Sequence, residues 1–300
     1  MKKSKKLITH SGSFHADDVF ACAALVLLLE KNQEKFEIIR TRDEKIIKTG
    51  DYVFDVGGIY NAGKNRFDHH QNGGAGRRKN GIEYASFGLV WKKFGKELVG
   101  SDEAAETIDK KMVQSIDAVD SGINIAKSIL PDVVLYDVAV LVSAFLPTAF
   151  ESHDENKGFL KIVDWAKIIL RREIKRVNDE VKIKKIIRDF YQRSVKKKII
   201  VIDKPKVSRE QIWDALQNFT EPLFVIYGEE NNWRVVAMRK NRNSFGNRKD
   251  LPQEWGGLNG EELQKTTGVT DAVFCSRNLF LAGVKSKEGA IKLAQLALNN

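Results

Sequence analysis

Four of the chain's five histidines fall in two short clusters, and each cluster holds an aspartate at close spacing. His10 and His15 stand with Asp17; His69 and His70 stand directly behind Asp68, a short step downstream of Asp55. Neutral imidazole beside carboxylate suits divalent ions such as manganese, zinc or magnesium. Scattered surface histidines would not group in this way, whereas the fifth, His153, stands alone and reads as a surface residue. Asp117-Ala118-Val119-Asp120-Ser121-Gly122 adds a further carboxylate, Asp120, at a helix end marked by a glycine stop. An anion is unfavourable at that end of a helix, and a nearby cation removes the objection.

The flanking segments explain how these groups could meet. Residues 6–10 read as a strand ending in His10, followed by a Ser11-Gly12-Ser13 turn and a buried helix over 19–29. Asp17 can be read as the N-cap of that helix or as a ligand. Residues 36–40 form a second strand, 45–48 a helical turn, and Tyr52-Val53-Phe54 a third strand with Asp55 at its carboxyl end and Gly57-Gly58 turning the chain. This order of strands and crossovers predicts a parallel sheet, and ligands of open α/β sheets bind outside the carboxyl ends of the strands. Residues 73–81 are glycine-rich and carry Arg77, Arg78 and Lys79, a mobile basic loop that is either solvated or a phosphate clamp.

Helices are expected over 85–94, 104–119 and 135–145, then a long basic helix over 159–198 with apolar residues recurring from Ile162 to Ile186. A new pattern starts at 199: strands over 199–203, 224–227, 233–237, 272–275 and 279–282, with helices over 208–216, 261–266 and 287–298. The fold class is therefore α/β, divided into an N-terminal parallel-sheet domain (1–158), a basic helical connector (159–198) and a smaller C-terminal α/β domain (199–300). Trp255 is expected in a core.

Three hundred residues with a net charge of +10 favour an anionic partner such as nucleic acid or a phosphorylated metabolite. Cys22 and Cys275 lie far apart in apolar segments and read as reduced core residues of a cytoplasmic protein. The basic N-terminus lacks the apolar run of a signal peptide, and the run over 21–29 is too short to span a bilayer, so no membrane partner is expected.

Taken in order, His10, Ser13-Phe14-His15-Ala16-Asp17, Asp55-Val56-Gly57-Gly58, Arg66-Phe67-Asp68-His69-His70-Gln71 and Asp117 to Gly122 resemble the Myg-type exonuclease family of the DHH phosphoesterase superfamily, also catalogued as "metal-dependent protein hydrolase". Ser244-Phe245, Leu251-Pro252-Gln253-Glu254-Trp255 and Gly283 to Ala290 are similar to its C-terminal signatures. The resemblance implies an N-terminal DHH domain with two divalent cations held by His10, His15, Asp17, Asp55, His69 and Asp120. Asp55 would bridge them, His70 would address a substrate phosphate and Asp68 would orient the histidine pair. His15 stands where many superfamily members carry aspartate, which favours manganese or zinc over magnesium. Arg77, Arg78 and Lys285 would bind substrate. The implied activity is 3′-to-5′ exonucleolysis of single-stranded RNA, with DNA as a further substrate. An enzyme on a dinucleotide or pyrophosphate, and a non-catalytic RNA-binding protein with structural metals, are the alternatives; a homodimer is left open. Ser276, Gly256 and Ala282 depart from the family's usual residues in the substrate domain.

Overall fold

In the computed structural model, residues 4–151, 154–229, 231–241 and 246–300 are described. His153 and the Ser244-Phe245 pair lie outside them. The chain forms two compact units, 1–178 and 179–300, each with its own sheet.

The first unit runs β1 (Lys5–Thr9), α1 (Ala16–Lys31), β2 (Phe36–Arg40), α2 (Glu44–Ile47), β3 (Tyr52–Phe54), β4 (Tyr60–Asn61), β5 (Arg66–Phe67), α3 (Ser86–Val99), α4 (Asp102–Ile108), α5 (Gln114–Asp120), α6 (Val138–Ser143) and, as far as Asn178, α7 (Glu155–Arg193). Its strands lie in the order β2-β1-β3-β5-β4. The first four of that order pair in parallel, as expected, and β4 pairs antiparallel with β5 at the edge. Two-residue strands such as β4 and β5 are too short to show a period in sequence. α1 is buried on every side from Ala16 to Leu29, which explains why its sequence is apolar all round rather than striped. It packs on α3, with Phe20 and Phe87 ring centroids 5.6 Å apart.

Two expectations change here. The helix predicted over 104–119 is interrupted by a π-helical turn, Asp109–Val113. In a regular α-helix, residues eight apart sit roughly 80° apart around the axis. The wider turn unwinds that offset, and both Asp109 and Asp117 reach the Arg78 guanidinium, at 2.9 and 2.6 Å. The helix predicted over 135–145 shrinks to α6, whose start is set by the Asp137 carboxylate accepting the Val140 N–H. The first residues of the expected span lie before the helix and on the surface: Leu135 is 48% and Tyr136 66% exposed.

α7 is longer than expected at its N-terminal end. Its buried positions in the first unit include Ile162, Val163, Ala166 and Leu170, and several of its cations are paired: Lys167 and Arg171 with Glu30.

The second unit contains β6 (Ile199–Ile202), α8 (Arg209–Leu216), β7 (Phe224–Glu229), β8 (Asn232–Ala237), α9 (Gly260–Thr267), β9 (Ala272–Cys275), β10 (Leu281–Val284) and α10 (Lys287–Asn299). The sheet order is β6-β7-β8-β10-β9, parallel only between β6 and β7. One face holds α10 and α9 over a core that includes Trp255; the other holds α8, with Ile187 and Tyr191 of α7. Both cysteines are free and buried.

Candidate metal centre

Asp55 sits where the elements of the first unit converge. It follows β3 with φ at +54°, in the left-handed region that Asp tolerates better than most residues. The turn buries its carboxylate between two histidines. Oδ2 lies 3.2 Å from His10 Nε2, just after β1, and Oδ1 lies 3.2 Å from His69 Nε2, just after β5. These are the carboxyl ends of parallel strands, where ligand sites of open sheets are built. The start of α1 brings His15 and Asp17, and the last residue of α5 brings Asp120.

Among the described residues, three overlapping groups place their ligand atoms within 4.8 Å of one another: His10, His15 and Asp55; Asp55, His69 and His70; Asp17, His69 and Asp120. All six expected ligands are thus gathered, and His70, expected only at the substrate, also lies within ligand reach.

The geometry suits cations. Two donors each about 2.0–2.2 Å from one ion sit roughly 3 Å apart. His69 Nε2 lies 3.2 Å from Asp55, 3.3 Å from Asp120 and 4.0 Å from Asp17. His69 Nε2 and Asp18 Oδ2 are both buried without a hydrogen-bond partner. His10 Nδ1 lies 3.2 Å from the Ser11 carbonyl. A proton on Nδ1 donated to that oxygen leaves Nε2 a free lone pair facing the site.

The electrostatics point the same way. Burial, then the charges of Asp120 and Asp55, pushes the Asp17 carboxyl well above the usual carboxylate range. Burial raises Asp18 to about 7 and, with Asp55 beside it, raises Asp120. At Asp55 burial works in the same direction, but the adjacent His10 and His69 imidazoles outweigh it and hold the group below the ordinary carboxylate range. His10 and His69 are both raised, because their carboxylate partners outweigh the lowering effect of burial. A divalent cation relieves this crowding of buried anions, and the donor set fits one.

Several groups act on the ligands from behind. Asp17 accepts the backbone N–H of Ser86 at 2.8 Å and of Phe87 at 2.7 Å. It therefore caps α3, while the N-cap of its own helix is His15, whose N–H donates to Asp18 at 2.8 Å. The Ser86 hydroxyl donates to Asp55 at 3.3 Å. Asp68, 1% exposed, accepts N–H groups from Gly58, His70 and the His70 imidazole, at 2.5, 3.1 and 2.8 Å. It thus holds His70 directly. Asp18, Ser86 and Asp117 were not singled out in the sequence. Asp18 stands in an Asp-Asp pair at a helix start and Asp117 opens the Asp117–Gly122 motif, whereas Ser86 is recruited across a long stretch of chain with no signal of its own.

A cavity of about 480 Å³ opens over the cluster, lined by histidines and acids of the site together with Ile116, Val119, Ile125 and Val138. The expected phosphate clamp is altered. The 73–81 loop folds back on itself through the Arg77–Glu83 ion pair at 2.6 Å, and Arg77 remains largely exposed. Arg78 is not available to a substrate: its side chain is 6% exposed, clamped by Asp109 and Asp117 and stacked over Tyr84. Its charge is consumed in holding α5, an interaction a sequence scan does not see. Lys285 follows β10 in the second unit.

The sequence profile of MYG1_exonuc, described as "Uncharacterised protein family (UPF0160)", matches residues 6–298. A "MYG1 protein" of Dictyostelium discoideum is 31% identical over 320 residues, covering 98% of this chain and 96% of its own length. A "MYG1 exonuclease" of Homo sapiens is 28% identical, covering 97% of this chain and 85% of its own. Among solved structures, an exonuclease RecJ bound to manganese aligns with 99% of this chain and 91% of its own at 12% identity and a TM-score of 0.30, too loose a superposition for comparing sites.

Proposed function

The chain belongs to the MYG1 exonuclease family, and from that premise we propose that it removes nucleotides from the 3′ end of single-stranded RNA by metal-dependent hydrolysis of the terminal phosphodiester. The observation that carries the two-cation form of this reading is the divided carboxylate of Asp55, with one oxygen beside His10 and the other beside His69. His10, His15 and Asp55 would hold one divalent cation; Asp17, Asp55, His69 and Asp120 would hold the second. The mixed imidazole and carboxylate set, with His15 in it, favours manganese over magnesium. When bound, such a pair supplies Lewis acidity that lowers the pKa of attacking water and offsets phosphoryl charge.

The protein's own groups then have defined tasks. Asp68 accepts the His70 Nδ1–H and fixes the ring, so that Nε2 is the nitrogen that takes up a proton and, as imidazolium, donates to a phosphoryl oxygen or passes the proton to the leaving group. Asp17, tied to the first turn of α3, and Asp55, tied to Ser86, keep the ligands in place before substrate arrives. The aliphatic wall of Ile116, Val119 and Val138 gives the terminal base an apolar surface and limits water on that side. Arg77 and the exposed cations of α7 supply the positive field along which a polyanion is drawn.

The test is cleavage of end-labelled single-stranded RNA and DNA of one sequence with manganese, magnesium or zinc, beside Asp55→Asn and His69→Ala. Stepwise shortening that leaves a 5′ label intact, needs metal and vanishes in both variants is the expected result. Intact polymers, with turnover of a dinucleotide or pyrophosphate at the same centre, would replace the polymer substrate by a small one. RNA binding with no turnover of any of these would sink the enzyme reading.

A further inference from the structure

The sheet of the first unit is covered unequally. Tyr52 and Phe67 lie on the side that meets Phe94 of α3, at 6.0 and 5.9 Å between ring centroids. Side chains alternate along a strand, so Val53 and Ile8 face the other way. There they meet Ile47 and form a small cluster whose helical cover is α2, a single turn of four residues. So short a cover leaves a groove of about 530 Å³ beside α2. Its floor is aliphatic, with Ile47, Val56 and an Ile59 that is 56% exposed. Arg42, Lys48 and Arg66 line it, and the one carboxylate in the lining, Glu44, lies 3.7 Å from Lys48.

Two of the cations are fixed rather than floating. Arg66 donates through Nη1 to the Lys64 carbonyl and through Nη2 to the Gly50 carbonyl, both at 3.0 Å, with no acid neutralising it in these contacts. Arg42 donates Nε to the Ser11 carbonyl at 3.1 Å, which leaves its Nη1 edge for a ligand. A pre-positioned guanidinium offers a phosphate parallel N–H donors without the ordering cost of a free side chain. Three cations against one acid select an anion, and the exposed aliphatic floor selects one that carries a flat apolar body. The volume lies within the range of small-molecule pockets.

We propose that this groove is a second ligand site, separate from the metal cavity, that binds a nucleoside monophosphate: phosphate among Arg42, Lys48 and Arg66, base on Ile59, Val56 and Ile47. The charge and shape of the groove define the class. The choice of monophosphate also rests on the function proposed above, because that is what stepwise cleavage of RNA releases. Arg42 and His10 Nδ1 both donate to the Ser11 carbonyl, so the occupant sits one side chain from the metal centre.

The experiment is calorimetric titration of the full-length protein with AMP at low salt in the presence of EDTA, where no cleavage chemistry operates and failure of the exonuclease reading does not affect the result. Lys48→Glu and Ile59→Asp change exposed residues, and circular dichroism checks that both remain folded. Each is expected to weaken AMP about tenfold, Lys48→Glu by reversing a charge at the phosphate and Ile59→Asp by placing a carboxylate under the base. Asp120→Asn, in the metal cavity, is expected to leave AMP affinity unchanged. Affinity that follows Asp120→Asn and ignores Lys48→Glu would place the nucleotide in the metal cavity and overturn the proposal. Inorganic phosphate binding as tightly as AMP, indifferent to Ile59→Asp, would overturn the nucleotide assignment, as would absence of AMP binding at millimolar concentration.

Discussion

If Asp68 serves catalysis by holding His70, the two residues must act as one unit, and a double-mutant cycle reads this directly. Asp68 is buried and accepts the His70 imidazole N–H at 2.8 Å and its backbone N–H at 3.1 Å. A hydrogen bond to a charged acceptor contributes roughly 1.5–3 kcal/mol, which at about 1.4 kcal/mol per decade corresponds to about 10- to 150-fold in rate if all of it goes into orienting the ring. Asp68→Ala should therefore lower kcat/KM by about 10- to 100-fold, in the range seen when groups behind a reactive site are removed. His70→Ala, which deletes the proton carrier itself, should cost about 100- to 10,000-fold. The double variant should be no slower than His70→Ala alone, because Asp68 then has nothing left to orient. Asp68 also accepts the Gly58 N–H at 2.5 Å, so Asp68→Ala should lower folding stability by about 1–3 kcal/mol whether or not His70 is present. Urea denaturation separates that loss from the kinetic one. The assay is initial-rate cleavage of a fluorescent RNA oligomer at saturating manganese. Multiplicative losses in the double variant would refute the reasoning, since they would mean that Asp68 acts on the reaction without passing through His70.

Three further outcomes are expected. In EDTA the protein should lose stability as pH rises from 6 to 8: Asp18, held near 7 against an unfolded value near 3.8, ionises in the fold at a cost complete by pH 8, while His10 and His69, raised above 6.5, lose the contribution their protons make at lower pH. Manganese should shrink or reverse that slope by favouring the deprotonated ligands, and thermal melts across the pH range with and without the ion would show a parallel fall if the reading is wrong. Gly88→Ala should destabilise the fold by at least about 1–3 kcal/mol in urea, because an added Cβ would stand 1.9 Å from Asp117 Oδ2 in a buried helix contact; unchanged stability would mean that α3 and α5 can separate at no cost. Arg77→Ala should weaken single-stranded RNA binding by a small, salt-sensitive factor with the fold intact, whereas Arg78→Ala should lower the melting temperature by leaving Asp117 buried without its partner, and a swap of these two phenotypes in binding and melting assays would reverse the assignment.

What the sequence discloses about this site follows from where each residue obtains its position. His10 and Asp55 sit at strand ends that can be read from short β-branched and aromatic runs, and their convergence follows from a parallel sheet, whose carboxyl ends share one edge; His69 follows β5, a two-residue strand with no such run. The family was legible for the same reason, since its motifs are those turns taken in order. Asp17 was legible as a residue but not in its full role. A local reading gives an acid before a helix to that helix, yet its two oxygens belong to the Ser86 and Phe87 amides, and no period or spacing connects positions so distant. Arg78 shows the converse. Its loop reads as mobile and its charge as available because glycine and consecutive cations usually mean solvent; the compensating carboxylates, Asp109 and Asp117, reach it only because a π turn rotates one toward the other. A buried ion pair of this kind leaves no pattern within a window of sequence, because each partner alone looks like a surface charge. The residues just before α6 mislead in the opposite sense: an apolar helix is expected from Leu135, yet the helix starts only at Val138, with Leu135 48% and Tyr136 66% exposed. Local chemistry therefore specified which residue types could hold a cation, whereas the groups that hold those residues still had to come from the fold. The variants that separate the two, Asp68→Ala from His70→Ala and Arg78→Ala from Arg77→Ala, are the ones whose effects no reading of the motifs alone would predict.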